Sequence, residues 1–452
     1  MGKAKKNLTV FLHLLVFLIL LCTASCNTTE PPDPPITPQP KATLTQQDAS
    51  CLEAWIKLEI ENIELPVNVT LTKDSIPILQ INNLTSSDTI VCIDSLQPNQ
   101  TYEFQSIIQP TNQSSVVKSN ELNVTTLDTT SQNFTWQTFT FGDHGNSVLF
   151  DVAIVGNEIW AVGEIYMKDS LGNPDNNFYN LIKWNGSNWS LERVYYNYQG
   201  SNFLAPLRSI FAFAENDVWV GSNQPMLWNG IIWEKWDLLG NIWEGWINKI
   251  WGSSSNDLYV VGNNGNIAHY NDSQWRKLES GTNVDLLDIW GSPDGTVWAC
   301  GYTNDYSVTV LLRYDGFTWN KVYEGSGNNQ NNNEFIGPAS GVWTNSKFFT
   351  YVASWGKIYR QPNDNILNIK RVTPNFSDVA FAMRGTDHNN IFVAGQDGLV
   401  GHYNGVTYTE FNELKENGKN YFGIAVKDNI AVAVGVKYGG LSSQAVISIG
   451  RR

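Results

Sequence analysis

The chain has 452 residues and a formal net charge of −14, and only 16% of its residues are charged, against 18 Trp, 18 Tyr and 20 Phe. This length exceeds one ordinary hydrophobic core, so we expect at least two domains. The acidic balance excludes nucleic acid as a partner because phosphate contacts need a basic face. The aromatic content excludes a disordered chain.

Residues 1–25 have the features of an export signal. Three lysines precede an apolar run, residues 8–21, that is shorter than a comfortable membrane-spanning helix. The small residues before Cys26 resemble a bacterial lipobox, although Thr23 replaces the usual aliphatic residue. The resemblance implies cleavage before Cys26 and lipidation of its thiol, with palmitate as an acyl group. Asn27 in place of Asp implies sorting to the outer membrane. An ordinary secretory signal with a chance cysteine is the alternative.

Residues 26–41 are rich in proline and predict a semi-rigid linker. Residues 42–128 alternate apolar and polar positions between Asn, Pro and Ser turns, a pattern typical of a β-sandwich. This stretch resembles a fibronectin type III domain at Trp55, Leu96-Gln97-Pro98, Thr101-Tyr102 and residues 119–128. The resemblance implies that Trp55 fills the space between two sheets. It also implies that the Tyr102 hydroxyl ties its corner to the backbone.

Three cysteines lie outside the signal region. Because an exported chain meets an oxidising compartment, we predict a disulfide between Cys51 and Cys92, which the fibronectin-like arrangement would place on neighbouring strands. Cys300 stands where the preceding repeat has Val261. We therefore expect a buried, unreactive thiol there.

Residues 129–452 repeat one pattern about every 40 residues, as in β-propeller blades. Each repeat carries an aromatic residue on its second strand: Trp160, Trp219, Tyr259, Trp298, Phe349 and Phe392. The C-terminal tail adds a seventh repeat without a fourth strand. Residues 133–141 match that strand, so we predict a seven-bladed propeller closed by an N-terminal strand. An eighth blade within residues 323–370 stays open. The array resembles Asp-box and photosystem II assembly-factor-like propellers.

Acidic residues at the starts of first strands are the leading candidates for a ligand or cation site. Asp151, Asp288 and Asp378 are candidates to face the central channel and bind there. Other repeats place Ser209 and Lys249 at this position, so no ring of carboxylates forms and the pattern favours capping of turns. Tyr195, Tyr196 and Tyr198 are predicted to stack on sugars or to form an ordinary strand edge. Two long polar loops, residues 167–180 and 324–334, are further candidates for contacts.

The histidines do not converge in the sequence pattern. His269 and His402 occupy the same place in their repeats, which favours a structural role over a metal site. No metal and no other cofactor is predicted. A sialidase-like mechanism needs a cluster of arginines, and by repeat register only Arg384 falls near the end of a first strand.

These features predict an all-β, monomeric lipoprotein of the bacterial cell envelope, anchored in the outer membrane. In this interpretation the propeller is a non-catalytic platform that binds a protein or a glycan at one face. The alternatives are a glycan-active, sialidase-like enzyme and an assembly factor for an envelope complex.

Overall fold

The computed structural model describes residues 38–111, 115–198, 200–236, 242–272, 274–326, 335, 337–440 and 442–452. The elements of these residues are strands and three short 3-10 turns, so the all-β class is confirmed. None of their helices has the length and apolar character of a membrane span. The predicted signal peptide and Cys26 lie outside the described residues.

The chain divides into two compact units. The first contains the described residues up to Thr45 together with Lys57–Ile90 and Glu103–Leu122. The second contains Gln46–Ile56, Val91–Tyr102 and Asn123–Arg452. Three segments from the fibronectin-like stretch, Gln46–Ile56, Val91–Tyr102 and residues 123–128, therefore belong to the same compact unit as all the repeats.

The strands before Thr126 form two sheets, in the orders β1-β2-β5 and β4-β3-β6-β7, and β8 pairs with β6. These strands are β1 (Lys41–Ala49), β2 (Ala54–Glu61), β3 (Val67–Lys73), β4 (Ile76–Leu84), β5 (Asp88–Ile93), β6 (Thr101–Pro110), β7 (Val117–Lys118) and β8 (Leu122–Thr125). Apolar residues alternate along β6, where every second side chain is buried, as expected for a strand with one face in a core.

The later strands form seven four-stranded antiparallel sheets and one two-stranded hairpin within the described residues. The first of them is β9 (Thr135–Phe141). Sheet 1 contains β10 (Val148–Val155), β11 (Glu158–Ile165), β12 (Tyr179–Trp184) and β13 (Trp189–Glu192). The hairpin is β14 (Tyr195–Tyr198) and β15 (Ser201–Leu204). Sheet 2 contains β16 (Ser209–Ala214), β17 (Asp217–Gly221), β18 (Pro225–Trp228) and β19 (Trp233–Lys235).

The remaining sheets follow in chain order. Sheet 3 contains β20 (Ile247–Ser254), β21 (Asp257–Gly262), β22 (Ile267–Tyr270) and β23 (Trp275–Leu278). Sheet 4 contains β24 (Leu286–Gly291), β25 (Val297–Tyr302), β26 (Thr309–Tyr314) and β27 (Trp319–Gly325). Sheet 5 contains β28 (Ala339–Trp343), β29 (Phe349–Ser354), β30 (Lys357–Pro362) and β31 (Lys370–Arg371). Sheet 6 contains β32 (Ala380–Asp387), β33 (Asn390–Gly395), β34 (Val400–Tyr403) and β35 (Tyr408–Glu410). Sheet 7 contains β36 (Lys419–Lys427), β37 (Ile430–Gly439), β38 (Ser442–Arg451) and β9.

The seven sheets form a closed circle. The first strand of each sheet contacts the first strand of the next, and β36 of sheet 7 contacts β10 of sheet 1. One buried apolar cluster fills each of the seven junctions between neighbouring sheets. Each fully buried Val, Leu or Phe contributes about 1.5–3 kcal/mol, so these junctions hold the circle together. This arrangement is a β-propeller.

The N-terminal strand joins the C-terminal sheet, as the repeat pattern predicts. β9 pairs antiparallel with β38, with Trp136 opposite Gly450 and Phe139 opposite Ile447. A Cβ on Gly450 would lie 2.8 Å from the Trp136 ring, so glycine is required for this close approach. The pairing removes the edge that sheet 7 would otherwise expose.

A β-bulge interrupts the first strand of six sheets at one equivalent place. A small residue, usually glycine, faces it from the second strand. A Cβ on Gly301 would lie 1.9 Å from the Asp285 carbonyl oxygen, and one on Gly262 would lie 2.1 Å from that of Trp246. The repeated small residue therefore lets the two strands approach, and the bulge residue turns away from the ladder.

The structure corrects one repeat alignment. The sequence pattern assigns Phe349 as the second-strand aromatic of the fifth repeat, but Trp343 pairs with Tyr351. The equivalent pair in sheet 3 is Trp251 with Tyr259. Tyr351 therefore holds the repeat position. Phe349 is two residues earlier on the same strand face, which is why the pattern selected it.

Two expectations from the fibronectin resemblance have different outcomes within the second unit. The Gln97 backbone N–H donates to the Tyr102 hydroxyl at 3.0 Å, so Tyr102 ties its corner to the backbone. Trp55 does not fill a space between two sheets of that stretch. It packs in the apolar cluster of sheets 5 and 6, with its ring centroid 5.7 Å from Phe348 and 5.3 Å from Phe349.

The predicted disulfide is also corrected, because Cys51 and Cys92 are free thiols. Cys51 follows β1 and Cys92 lies on β5, and β2 stands between these strands in the sheet. The Cys51 Sγ instead lies 3.4 Å from the Asp128 carbonyl oxygen, and burial raises its pKa to about 11. Cys300 is fully buried in the cluster of sheets 4 and 5, where burial raises its pKa.

Candidate functional site

Seven residues, one from each sheet, stand directly after the bulge position on the innermost strands. We call them the channel ring: Asp151, Ser209, Lys249, Asp288, Gly341, Ala382 and Gly423. The two carboxylates that the sequence assigns to a binding site, Asp151 and Asp288, belong to this ring. Both are almost fully buried.

Asp151 connects sheets 1, 2 and 3. Its Oδ1 accepts from Lys249 Nζ at 2.6 Å, and its Oδ2 accepts from the Ile210 backbone N–H at 3.0 Å. The Ser209 hydroxyl donates to Asp151 at 3.4 Å and accepts from the Ile250 backbone N–H at 2.8 Å. The carboxylate therefore satisfies donors from two neighbouring sheets.

Asp288 connects sheets 4, 5 and 6 in the same manner. Arg384 donates to both carboxylate oxygens, at 2.6 and 2.8 Å, and the Val342 backbone N–H donates at 2.9 Å. Arg384 reaches across sheet 5, whose channel-ring residue is Gly341. A Cβ there would lie 3.2 Å from the Met383 backbone nitrogen and in ordinary contact with Asp288 Oδ2, so glycine allows the close approach of β28 to β32 beside the bridge.

Burial acts differently on the two cations. It lowers the pKa of Lys249 despite the adjacent Asp151. Burial also opposes the charge of Arg384, but the charge and hydrogen bonds of Asp288, together with the charge of Asp151, raise the pKa of Arg384. Both carboxylates are occupied by protein donors. A ligand role for Asp151 or Asp288 stays a prediction, and such a ligand would have to compete with these bonds.

A cavity of about 230 Å³ lies along the axis beyond the channel ring. Its wall includes Lys249, Arg384, Phe211 and Trp290. The Arg384 guanidinium carbon stands 4.8 Å from the centre of the Trp290 ring, which also contacts Phe211. Of the cations in this wall, Arg384 is therefore paired with Asp288 and covered by an aromatic ring, and Lys249 is paired with Asp151.

A second set of residues surrounds the opposite end of the axis, where each sheet receives the chain from the one before. We call them the bulge ring: Phe150, Arg208, Asn248, Leu287, Ser340, Phe381 and Phe422. Arg208 is at the equivalent place just before β16. Six of the seven side chains are half-buried, Ser340 being the buried one. Four are apolar, three of them phenylalanines, so this end of the axis has a partly exposed apolar surface.

The predicted tyrosine cluster forms the separate hairpin β14–β15. Tyr195 is 45% exposed, whereas Tyr196 is half-buried and stacks on Phe203 with 5.7 Å between ring centroids. The side chain of Tyr198 lies outside the described residues. A sugar-stacking role for these tyrosines stays a prediction.

His269 and His402 do hold equivalent places, as the repeats predict. Each stacks on its second-strand aromatic, Tyr259 at 4.1 Å and Phe392 at 4.3 Å. His269 contacts a carboxylate, Asp257, whereas burial lowers the pKa of His402 to about 3. No group of three or more His, Cys, Asp or Glu in the part of the chain that the structure describes is placed to hold a metal ion.

The first predicted contact loop lies between β11 and β12 and is internally bonded. The Asp169 carboxylate accepts from the backbone N–H groups of Leu171 and Asn173 at 2.9 and 2.8 Å. Asp175 accepts from Arg193 at 2.5 Å. Most of the second loop, residues 327–334, lies outside the described residues.

A larger cavity of about 470 Å³ lies elsewhere in the second unit. Its wall includes Glu53, Arg360, Tyr351 and His388. Arg360 donates to both oxygens of Glu53, with 2.7 Å between Nη2 and Oε1, so the two main charges of this wall neutralise each other. The pair joins residues 307 positions apart, and no sequence pattern connects them.

Sequence reasoning missed the bulge ring. The repeat pattern singles out neither Arg208 nor Phe150, Phe381 and Phe422. One signal was present, because each of these residues directly precedes the channel-ring position of its repeat. Recognising it required the bulge, which sends this residue out of the regular alternation of the strand.

Comparison with known proteins is uninformative about family. No family model matches the chain, and no curated protein matches it. Among solved structures, YCF48 bound to D1 peptide is 14% identical and covers 70% of this chain and 95% of its own, with a TM-score of 0.48. The WD40 β-propeller domain of Doa1 is 11% identical and covers 71% and 98%, with a TM-score of 0.46. The C-terminal WD40 domain of Sif2 is 15% identical and covers 77% and 90%, with a TM-score of 0.39. At these values the likenesses give no information on the ligands of this chain.

Proposed function

We propose that this chain is an envelope lipoprotein whose seven-bladed propeller is a non-catalytic binding platform. A lipid at Cys26 would anchor it, and a fibronectin type III-like module would carry the propeller away from the outer membrane. The partner would be a protein or a glycan bound at the bulge-ring end of the axis.

The observation that carries the proposal is the bulge ring. Three phenylalanines, Phe150, Phe381 and Phe422, are half-buried, with part of each side chain exposed, on neighbouring sheets at one end of the axis. The Phe381 and Phe422 rings lie 5.8 Å apart. Grouped apolar side chains at a protein surface are typical of an interaction site. The channel ring supports a scaffold role because its carboxylates already bind neighbouring sheets.

Site-specific photo-crosslinking tests the platform. We expect a benzophenone amino acid at Phe422 of the full-length chain in its native membrane to give a discrete adduct, identified by mass spectrometry. The matched control is the same amino acid at Phe317, an 88% exposed residue in the turn between β26 and β27. Identical adducts at both positions, or none at Phe422, would contradict the platform.

Metabolic labelling tests the anchor separately. The lipobox resemblance supports acylation of Cys26, and Cys22 supplies a control in the same segment. We expect Cys22→Ser to incorporate labelled palmitate and to stay in the membrane fraction, and Cys26→Ser to lose both properties. Labelling that persists in Cys26→Ser would exclude the proposed lipid site.

A further inference from the structure

Arg208 is the one charged residue of the bulge ring, and its guanidinium lies against two aromatic rings. The guanidinium carbon is 4.6 Å from the centre of the Trp246 ring and 5.1 Å from that of Phe150. Trp246 precedes the first strand of sheet 3, and Phe150 belongs to sheet 1. Residues from three consecutive sheets therefore position this cation.

The donors of Arg208 are incompletely used. Its Nε is buried and has no hydrogen-bond partner among the described residues. Glu164 is the carboxylate that interacts with its charge, but no salt bridge joins them within the described structure. The Tyr166 hydroxyl donates to Glu164 at 3.2 Å. Burial lowers the pKa of Arg208 and raises that of Glu164, as expected for two charges that lack close partners.

Arg193 is an arginine of the same propeller that both stacks on an aromatic ring and makes an ion pair and hydrogen bonds. Its guanidinium carbon lies 4.1 Å from the centre of the Tyr179 ring, so it too stacks on an aromatic residue. It also pairs with Asp175 at 2.5 Å and donates to the carbonyl oxygens of Asn177 and Phe178 at 2.8 and 3.3 Å. Stacking and ion pairing are thus compatible, and Arg208 has only the first.

The surroundings of Arg208 favour a ligand with an apolar body. Phe150, Phe422 and Phe381 follow one another around the ring on sheets 1, 7 and 6. A guanidinium fork binds a carboxylate through two parallel hydrogen bonds, and the nearby rings reduce competition from water. An acidic side chain flanked by apolar residues matches both features.

A sugar acid matches them less well. The Arg208 guanidinium already occupies one face of each of the Trp246 and Phe150 rings, faces on which a sugar would stack. The other phenylalanines offer no hydrogen bonds to hydroxyl groups. A peptide needs only the carboxylate contact and apolar cover.

We propose that Arg208 binds the carboxylate of an acidic peptide whose flanking apolar side chains pack on Phe150, Phe422 and Phe381. The proposal deepens the platform function and rests on it. It assigns the bulge ring a ligand class, namely a segment with one Asp or Glu among apolar residues.

A peptide array probed with the full-length chain in detergent tests this assignment. The array carries acetylated, amidated heptapeptides with one central aspartate among varied apolar residues, beside their asparagine counterparts. We expect the wild-type chain to bind a subset of the aspartate peptides at least tenfold more strongly than the counterparts. Arg193→Gln should behave as the wild type, whereas Arg208→Gln should bind both sets equally.

Arg208→Lys keeps the charge without the planar fork, so we expect an intermediate preference. If Arg208→Gln does not fold, Arg208→Lys takes its place as the test variant. Equal binding of the two peptide sets by the wild type, or an unchanged preference in both Arg208 variants, would overturn the proposal. If the chain bound a glucuronic acid disaccharide and none of the peptides, the ligand would be a sugar acid and the peptide proposal would be wrong. If the Phe422 crosslink persists in any of these outcomes, the platform stands and only its ligand class falls.

Discussion

The channel ring and the bulge ring are adjacent in every repeat, yet their side chains have opposite surroundings. In the channel ring, Asp151 pairs with Lys249 and Asp288 pairs with Arg384, and all four are largely buried. In the bulge ring, Arg208 has aromatic neighbours and an unpartnered Nε among the described residues. A shift of one residue along the first strand of a sheet thus separates the paired groups that stabilise the circle from the bulge-ring groups to which we assign a ligand.

Removing a carboxylate from the channel ring should cause the largest change in stability. Asp288→Ala leaves the Arg384 guanidinium buried without its partner, and arginine cannot release its proton to escape the cost. We expect a loss of about 3–5 kcal/mol in the free energy of unfolding, followed by tryptophan fluorescence in urea.

The matched control replaces both partners. Asp288→Ala combined with Arg384→Met removes the charge and fills part of the space, so we expect most of the stability to return. A loss below roughly 1 kcal/mol in the single variant would show that the pair does not stabilise the circle.

Loss of the other ion pair, Asp151 with Lys249, should reduce the free energy of unfolding by less. Asp151→Ala leaves Lys249, whose pKa burial already lowers, and a lysine can become neutral. We expect a loss of roughly 1–3 kcal/mol, mainly from the unsatisfied donors of Ile210 and Lys249. The same urea titration measures it, and a loss equal to that of Asp288→Ala would contradict the distinction between the two cations.

The pH dependence of the free energy of unfolding gives a further test, because it depends on His402, which belongs to neither ring. His402 has a folded-state pKa of about 3, below its usual 6.5, so the unfolded chain binds more protons between these values. Stability is therefore fully present above pH 6.5 and falls as the pH drops toward 3. The expected loss between pH 7 and pH 5 is roughly 2 kcal/mol.

His402→Gln is the control, since it removes this titration while keeping a polar side chain. Unfolding midpoints at pH 7 and pH 5 should converge in the variant relative to the wild type. A wild-type stability that does not change over this interval would show that His402 titrates normally. Peptide binding is best compared at pH 7, where His402 is neutral in both states.

Changing the bulge ring should hardly affect stability. Arg208→Gln loses two cation–π contacts, each of which stabilises the folded state by about 0.5–1 kcal/mol. It also removes the unfavourable free energy of burying an incompletely hydrogen-bonded cation, which is of similar size. We expect a net change within about 1 kcal/mol in the urea titration. A larger loss would place Arg208 among the stabilising residues and remove the contrast between the rings.

Much of the fold can be predicted from the sequence because each repeat contains its own turn residues and aromatic positions. The Asn-Gly and Asp-Gly pairs between third and fourth strands are typical of tight hairpin turns, and their glycines have positive φ, for example 93° at Gly186 and 95° at Gly316. Asp272 takes the same conformation, with φ 70°, where the sequence lacks glycine. The pairing of β9 with β38 also follows from pattern alone, through the position of Trp136.

The errors arise where a residue's partner is distant in sequence. Trp55 carries the expected aromatic side chain for a core, but its neighbours are Phe348 and Phe349, almost three hundred residues later. Cys51 and Cys92 met every compositional criterion for a bridge, and the strand order placed β2 between their strands.

The sequence by itself determined the repeat and the strand order within each sheet, because these depend on periodicity and turn chemistry within about 40 residues. It also determined the strand that closes the circle, because residues 133–141 carry the fourth-strand pattern that the last repeat lacks. Tertiary structure alone decided which charges neutralise each other and which remain open. Lys249 pairs with Asp151 and Arg384 pairs with Asp288 across an intervening sheet, whereas Arg208 lies against the Trp246 and Phe150 rings. Such choices depend on distances of a few ångströms between strands from different repeats, and the one-dimensional pattern does not contain those distances.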